Sequence, residues 1–381
     1  MKIYLITPID LRYSYRGTEE YIYKYAKYLK DNGKDVEILV TKRPNGKYTL
    51  LPDYRNIIRP YRKIRQRPVQ CKEYILPLKW HVFFYKNIPK DGVIYLPYSI
   101  YDYFFNILTK PRGQKYIIGS HSMHLKKGHM IEGHEFLEGI LNLLVKAIFL
   151  LRRKEKENIF FHVINTEQEK YIKEHFKYPS SNIFYVPTFI EMKKYKIRKN
   201  RSKKLKVIHI GGTDKGADIV FDIIKLLGKE GQLNNFDFYF VGTGLDLDRY
   251  KITEPENIHI LGKISELEKL KLLSSSDCII IPAYENFPKT MLEGIASGLY
   301  VLTSKRNAAW KDFTNLGIKM FIAENGFSKE YINTLKSLAK IKRRNKNPNP
   351  YKYNNKKRII RYYSESTVLP EIQKMFSLVE K

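Results

Sequence analysis

Glu285-Asn-Phe-Pro-Lys-Thr-Met-Leu-Glu293, followed by Gly294-Ile-Ala-Ser-Gly298, sets two carboxylates eight residues apart across a junction between a strand and a helix. The run before it, Cys278-Ile-Ile-Ile-Pro282, is short, apolar and β-branched, which reads as a buried parallel strand. Pro288 suits the first turn of a helix, where its missing N–H costs nothing, and Gly298 suits the position just past the end. Glu285 then lies in the loop at the carboxyl end of the strand, and Glu293 inside the helix. In α/β sheets such a crevice, with helix N–H groups pointing into it, is where phosphorylated ligands bind. Two carboxylates there can accept hydrogen bonds from sugar and ribose hydroxyls. The competing reading is a solvated helix face with two ordinary surface glutamates.

Strand and helix patterns alternate on both sides of this stretch. Towards the amino terminus the predicted strands are 3–7, 36–40, 93–96, 116–118, 159–164 and 183–186, with helices over 18–32, 134–153 and 167–176. A charged, structure-poor stretch at 191–204 reads as a linker. The alternation then restarts, with strands at 206–210, 236–241, 258–261, 278–281 and 300–303 and helices at 217–228, 266–274 and 288–297. Alternation of this kind implies parallel sheets flanked by helices, an α/β class with two Rossmann-like domains. Within the second, Gly211-Gly-Thr-Asp-Lys-Gly216 follows a strand and precedes a helix. Small residues there let backbone N–H groups approach a diphosphate, which Lys215 can neutralise. The alternative is a plain tight turn.

The stretch from Glu285 to Gly298 resembles the E-x7-E signature of retaining glycosyltransferases of family 4 (glycosyl transferases group 1). The likeness extends to Phe287-Pro288 after the first Glu and to the run Leu292-Glu-Gly-Ile-Ala-Ser-Gly298. It implies the GT-B fold, two Rossmann-like domains facing each other across a cleft. The boundaries expected are a first, acceptor-binding domain at 1–188, a linker at 189–205 and a nucleotide-sugar-binding domain at 206–362. A C-terminal helix over 363–381 returns to the first domain. The resemblance also implies roles. Glu285 contacts the donor sugar, Glu293 the ribose hydroxyls, and Lys215 the donor phosphates, with Gly211, Gly212, Phe287 and Pro288 around them. Gly212 stands about where the family carries an arginine, so one phosphate-binding charge is absent from that position. Gly242-Thr-Gly244 resembles the family's strand-GxG near the donor base. His121 occupies the place of a histidine facing the donor sugar, and Gly17, in Arg16-Gly17-Thr18, resembles the amino-terminal glycine loop. Pro187-Thr-Phe-Ile190 departs from the family's usual Pro-Asn-Gly-Val. The activity implied is retaining, metal-independent transfer from a nucleotide sugar, a substrate and not a cofactor, to a glycan, lipid-linked or protein acceptor.

Two metal readings compete. Asp246-Leu-Asp248 has the form of a metal-binding DxD, but acidic residues favouring a helix start explain it better. His121, His124, His129 and His134 lack the spacing of familiar zinc sites. Residues 136–153 carry apolar side chains at helical spacing followed by Arg152-Arg153, which reads as a core-facing helix ahead of a membrane-contacting one.

At 381 residues the chain is long enough for two cores. Cys71 and Cys278 are too few for a disulfide framework, so a reducing, cytoplasmic setting is expected. The first residues read as a strand and not as a signal peptide, and no apolar run reaches bilayer-spanning length. The net charge of +30 concentrates in Arg55 to Lys72, Lys193 to Lys206 and Lys342 to Arg361, none of which holds an Asp or Glu. Such runs suit donor phosphates, an anionic membrane surface contacted peripherally, or nucleic acid. Transfer to nucleic acid and a non-catalytic basic binding protein of the same fold are the rival functions.

Overall fold

The computed structural model describes residues 1–7, 17–41, 58–61, 91–97, 113–119, 147, 157–198, 202–212, 215–245, 255–283, 285–344 and 347–380. The chain divides into two compact units: Met1–Pro187 with Leu369–Lys381, and Thr188–Val368.

In the first unit, β1 (Ile3–Thr7), helix α1 (Gly17–Asp31), β2 (Val36–Thr41), β3 (Ile58–Tyr61), β4 (Val93–Leu96), β5 (Lys115–Gly119) and β6 (Ile159–Val163) lead to α2 (Thr166–Tyr171) and β7 (Ile183–Tyr185). The strands pair in parallel in the order β3-β2-β1-β4-β5-β6-β7. The order reverses between β1 and β4, as in a doubly wound sheet. Ile3, Leu5, Ile38, Val93 and Ile94 have no exposed surface, so both faces of the sheet are covered. Ile22, Tyr25, Ala26 and Leu29 recur at helical spacing and bury one stripe of α1. Strand β3 falls inside a basic run that carried no strand pattern. Its Pro60 cannot donate to a ladder, and the strand lies at the sheet edge, where that costs least. The helix predicted at 167–176 is α2 followed by a π-helical turn, Ile172–Phe176. Asn165 caps α2 by accepting a hydrogen bond from Gln168 N at 2.8 Å, and the wider turn buries Ile172 and Phe176. The helix predicted at 134–153 lies outside the described residues, apart from Ala147.

The second unit runs β8 (Leu205–Ile210), α3 (Ala217–Lys229), β9 (Phe236–Val241), β10 (Ile258–Ile260), α4 (Glu266–Ser275), β11 (Cys278–Ile281), α5 (Lys289–Ala296), β12 (Tyr300–Ser304), α6 (Trp310–Asn315), β13 (Phe321–Ala323), α7 (Ser328–Arg343) and α8 (Lys352–Tyr363). Its strands are parallel in the order β10-β9-β8-β11-β12-β13. All of β11 is buried, as its unbroken apolar run predicts. Phe221, Ile224, Phe236, Phe238, Phe240, Tyr331 and Leu335 fill the core between the sheet, α3 and α7. Ser265 and Glu268 start α4 with reciprocal side-chain and backbone hydrogen bonds. At the amino end of the sheet, Lys342 of α7 pairs with Asp277 at 2.7 Å, and Lys206 N donates to the other Asp277 oxygen at 3.0 Å.

The stretch read as a structure-poor linker holds little regular structure but is packed in part. Met192–Lys194 forms a single 3-10 turn and Tyr195 is buried in the second unit. Nearby, Ile190 bridges Ser364 in parallel, with Ile190 N donating to Tyr363 O and Glu365 N to Ile190 O. The predicted C-terminal helix is α9 (Glu365–Glu380), which an extended Ser364 separates from α8. The division between units falls inside α9, next to Pro370. Beyond it, Ile372, Met375, Phe376 and Val379 are buried, Phe376 meets Tyr95 edge-on at 5.8 Å, and Lys115 Nζ donates to Val379 O at 2.8 Å. No helix among the described residues is long and apolar enough to cross a membrane.

One buried group in the first unit couples folding to pH. His162 Nε2 donates to Val186 O at 2.7 Å, so Nδ1 accepts from the Tyr95 hydroxyl, also at 2.7 Å. Burial pushes this imidazole down to about 4, below the unfolded value of about 6.5. The unfolded chain therefore binds a proton that the folded chain refuses, and stability falls as pH drops from about 6.5 towards 4. The loss expected from this group is about 3 kcal/mol. Urea unfolding across that range, compared with His162→Gln, should show a shallower acid slope in the variant; equal slopes would contradict the assignment.

Candidate active site

The carboxyl ends of β8, β9 and β11 bring together most of the second-unit residues singled out in the sequence. After β8 the chain enters Gly211, whose N–H donates to Val241 O at 2.7 Å. A Cβ built on Gly242 (φ +151°) would lie 2.7 Å from Gly211 O and 2.8 Å from its carbonyl carbon. Only glycine permits that approach, and it locks the loop after β9 against the loop after β8. Lys215 N donates to Gly212 O at 3.0 Å, closing the turn before α3. Gly216, at φ +81°, brings this turn onto the next loop: a Cβ there would stand 2.9 Å from Pro282 Cγ and 3.2 Å from Ala283 N.

That next loop carries Glu285. Its carboxylate lies 3.4 Å from Lys215 Nζ, with the lysine side chain 42% exposed and the glutamate 19%. The loop is held from β12: Thr303 Oγ1 donates to Ile281 O, Ser304 Oγ to Pro282 O, and Ala308 N to Glu285 O at 2.9 Å. Phe287 turns into the core, where its ring meets Phe313 at 5.3 Å and Tyr363 at 5.5 Å. Pro288 is buried at the start of α5. These two residues anchor the loop that presents Glu285.

Glu293, one helical turn further, has 1% of its side chain exposed. An ionised carboxylate in that position needs partners. Lys269 Nζ of α4 donates to Oε1 at 2.9 Å, the Tyr195 hydroxyl donates to the same oxygen at 3.0 Å, and Lys289 Nζ of α5 stands 3.9 Å away. Among the described residues, Oε2 takes no hydrogen bond. Burial lowers the Lys269 ammonium, but Glu293 and Glu266 outweigh it and hold the group above the ordinary lysine value. Tyr195 is fixed in turn by Lys356 Nζ of α8, which donates to its carbonyl at 2.7 Å.

Sequence reading missed Lys269 and Tyr195. Each is distant from Glu293 along the chain, one on α4 and one in a basic stretch. The lysine-rich background hid both. Gly17 is the first residue of α1 in the first unit. His121, Asp246 and Asp248 lie outside the described residues.

Residues 204–340 match the sequence model of a family described as glycosyl transferases group 1. No curated protein matches the chain. Among solved structures, the chain is similar to sucrose-phosphate synthase from Thermosynechococcus elongatus, at TM-score 0.73 and 14% identity, covering 99% of this chain and 98% of that one. It is also similar to a glycosyltransferase from Rickettsia africae (TM-score 0.67, 14% identity, 100% and 98% covered). A third likeness is to Anabaena HepE in complex with UDP (TM-score 0.68, 14% identity, 99% and 100% covered). The fold is that of the GT-B glycosyltransferases, as the resemblance implies.

The close approach of Gly242 to Gly211 makes a direct expectation. Gly242→Ala must displace backbone and should cost on the order of 1–3 kcal/mol. Gly228→Ala, in α3 with open space around its Cβ position, should be neutral or stabilising. Thermal unfolding of the two variants distinguishes them; a Gly242→Ala midpoint equal to wild type would contradict the packing described.

Proposed function

We propose that the chain is a retaining, metal-independent glycosyltransferase that moves a sugar from a nucleotide-sugar donor to a glycan or lipid-linked acceptor. The observation that carries the reading is the Lys215–Glu285 pair at the carboxyl ends of β8 and β11, beside the glycine-lined turn. Lys215 supplies a fixed positive charge where a leaving nucleoside diphosphate develops negative charge, a preorganised electrostatic role. Glu285, loosely paired and part exposed, is suited to accept hydrogen bonds from donor-sugar hydroxyls, and Glu293 Oε2 from the ribose. His121 is assigned to the sugar and Gly17 to the diphosphate or acceptor. Solved relatives bound to UDP, to UDP-glucose and to UDP with a glycan support this donor and acceptor chemistry.

In the reaction the bond from the sugar's anomeric carbon to the diphosphate oxygen breaks while the acceptor hydroxyl oxygen bonds to the same carbon and gives its proton to the departing diphosphate. Retention requires the new bond to form on the face the diphosphate leaves. Lys215 offsets the charge released on the leaving oxygen, and Glu285 holds the sugar while the bond changes. Acceptor attraction has a physical basis in the charge. The outer face of α8 exposes Tyr353, Lys357, Ile360 and Arg361, a basic and aromatic combination suited to an anionic membrane surface or an anionic glycan.

Incubation with UDP-, GDP- and ADP-linked hexoses, followed by proton NMR of the anomeric signal, tests both parts. One donor should be consumed, with the product keeping the donor's anomeric configuration, and Lys215→Ala should slow turnover about 10²–10³-fold. An inverted product would refute the stereochemistry, and unchanged turnover in Lys215→Ala would refute the role of the lysine.

A further inference from the structure

Glu293 sits in a setting that a solvated helix face does not need. Its side chain is all but inaccessible, yet one oxygen collects a lysine at 2.9 Å, a tyrosine hydroxyl at 3.0 Å and a second lysine at 3.9 Å, while the other oxygen is left without a hydrogen bond among the described residues. The charged and titratable groups around it come from several elements. They are Lys269 and Glu266 on α4, Lys289 on its own helix, Tyr195, and Lys356 on α8 behind Tyr195.

A carboxylate held this way is oriented as well as neutralised. Two donors on Oε1 fix rotation about the last side-chain bond and leave Oε2 as the single acceptor. Both printed donors fall on Oε1, which leaves Oε2 as the acceptor still open among the described residues. We propose that Lys269 and Tyr195 are positioning residues that clamp Glu293 through Oε1 and thereby reserve Oε2 for a ribose hydroxyl of the nucleotide donor. The inference rests on the donor-site reading above and extends it to two residues that touch the carboxylate and not the ligand.

Calorimetric titration of the full chain with UDP, GDP and ADP, each beside its 2′,3′-dideoxy counterpart, reads this directly. In wild type the diphosphate that binds should be preferred over its dideoxy form by about tenfold or more. Lys269→Met should bring the preference close to one, while Lys269→Arg keeps most of it. Tyr195→Phe, which removes one hydroxyl with little risk to folding, should lower the preference about threefold to tenfold. Circular dichroism spectra matching wild type establish that the variants are folded. Should Lys269→Met fail to fold, the Tyr195→Phe result decides alone. A full ribose preference in folded Lys269→Met, or in Tyr195→Phe, would overturn the clamp while leaving the donor site standing. Wild-type binding without ribose preference would also overturn it. No binding of any diphosphate by wild type would instead sink the donor-site reading and the clamp with it.

Discussion

A carboxylate at 1% exposure on the inner side of a short helix is the constraint around which the second unit is arranged. Burying a carboxylate there calls for cations and donors brought to it. They come from three separate places: Lys269 on α4, Tyr195 on the segment before β8, and Lys289 one turn back on α5. Satisfying one charge therefore ties a helix, a connecting segment and the strand–helix junction after β11 into one polar cluster. This also accounts for the burial of Tyr195 within the stretch 191–198. Tyr195 is pulled into the fold by its hydroxyl at one end and by Lys356 at its carbonyl.

The adjacent half of the site is governed by sterics. Backbone meets backbone where Gly242 approaches Gly211, and backbone meets loop where Gly216 approaches Pro282 and Ala283. These approaches bring three loops at the carboxyl ends of parallel strands close enough to share one ligand. They also place the one lysine of the first loop, Lys215, 3.4 Å from the glutamate of the third. The mixture of a rigid backbone floor and part-exposed charges fits a ligand that is anionic at one end and hydroxyl-rich at the other.

Much of this was legible in the chain. The run Cys278-Ile-Ile-Ile281 could only be a strand covered on both faces, and Pro288 and Gly298 fixed the helix after it, so the placement of Glu285 and Glu293 followed from local rules. The periodicity of α1 and α3 was equally plain. Less legible was everything that depends on distant packing. Lys269 and Tyr195 look like ordinary members of a basic sequence, and only the fold brings them to Glu293. Strand β3 was hidden because Pro60 and its basic neighbours suppress the usual strand pattern. Ser364 gave no local signal for the break between α8 and α9; the break follows from its bridge to Ile190. Phe287, read as part of the donor site from its place beside Glu285, packs against Phe313 and Tyr363 and supports the loop from beneath.

The most direct test of where the donor binds is hydrogen exchange followed by mass spectrometry, with and without saturating UDP, GDP or ADP. The account expects one of these to slow exchange in the segments around 209–216, 241–245 and 282–294, because backbone N–H groups there would face or support the diphosphate. Exchange unchanged in all three segments with every nucleotide, or protection confined to other parts of the chain, would contradict the assignment of the site.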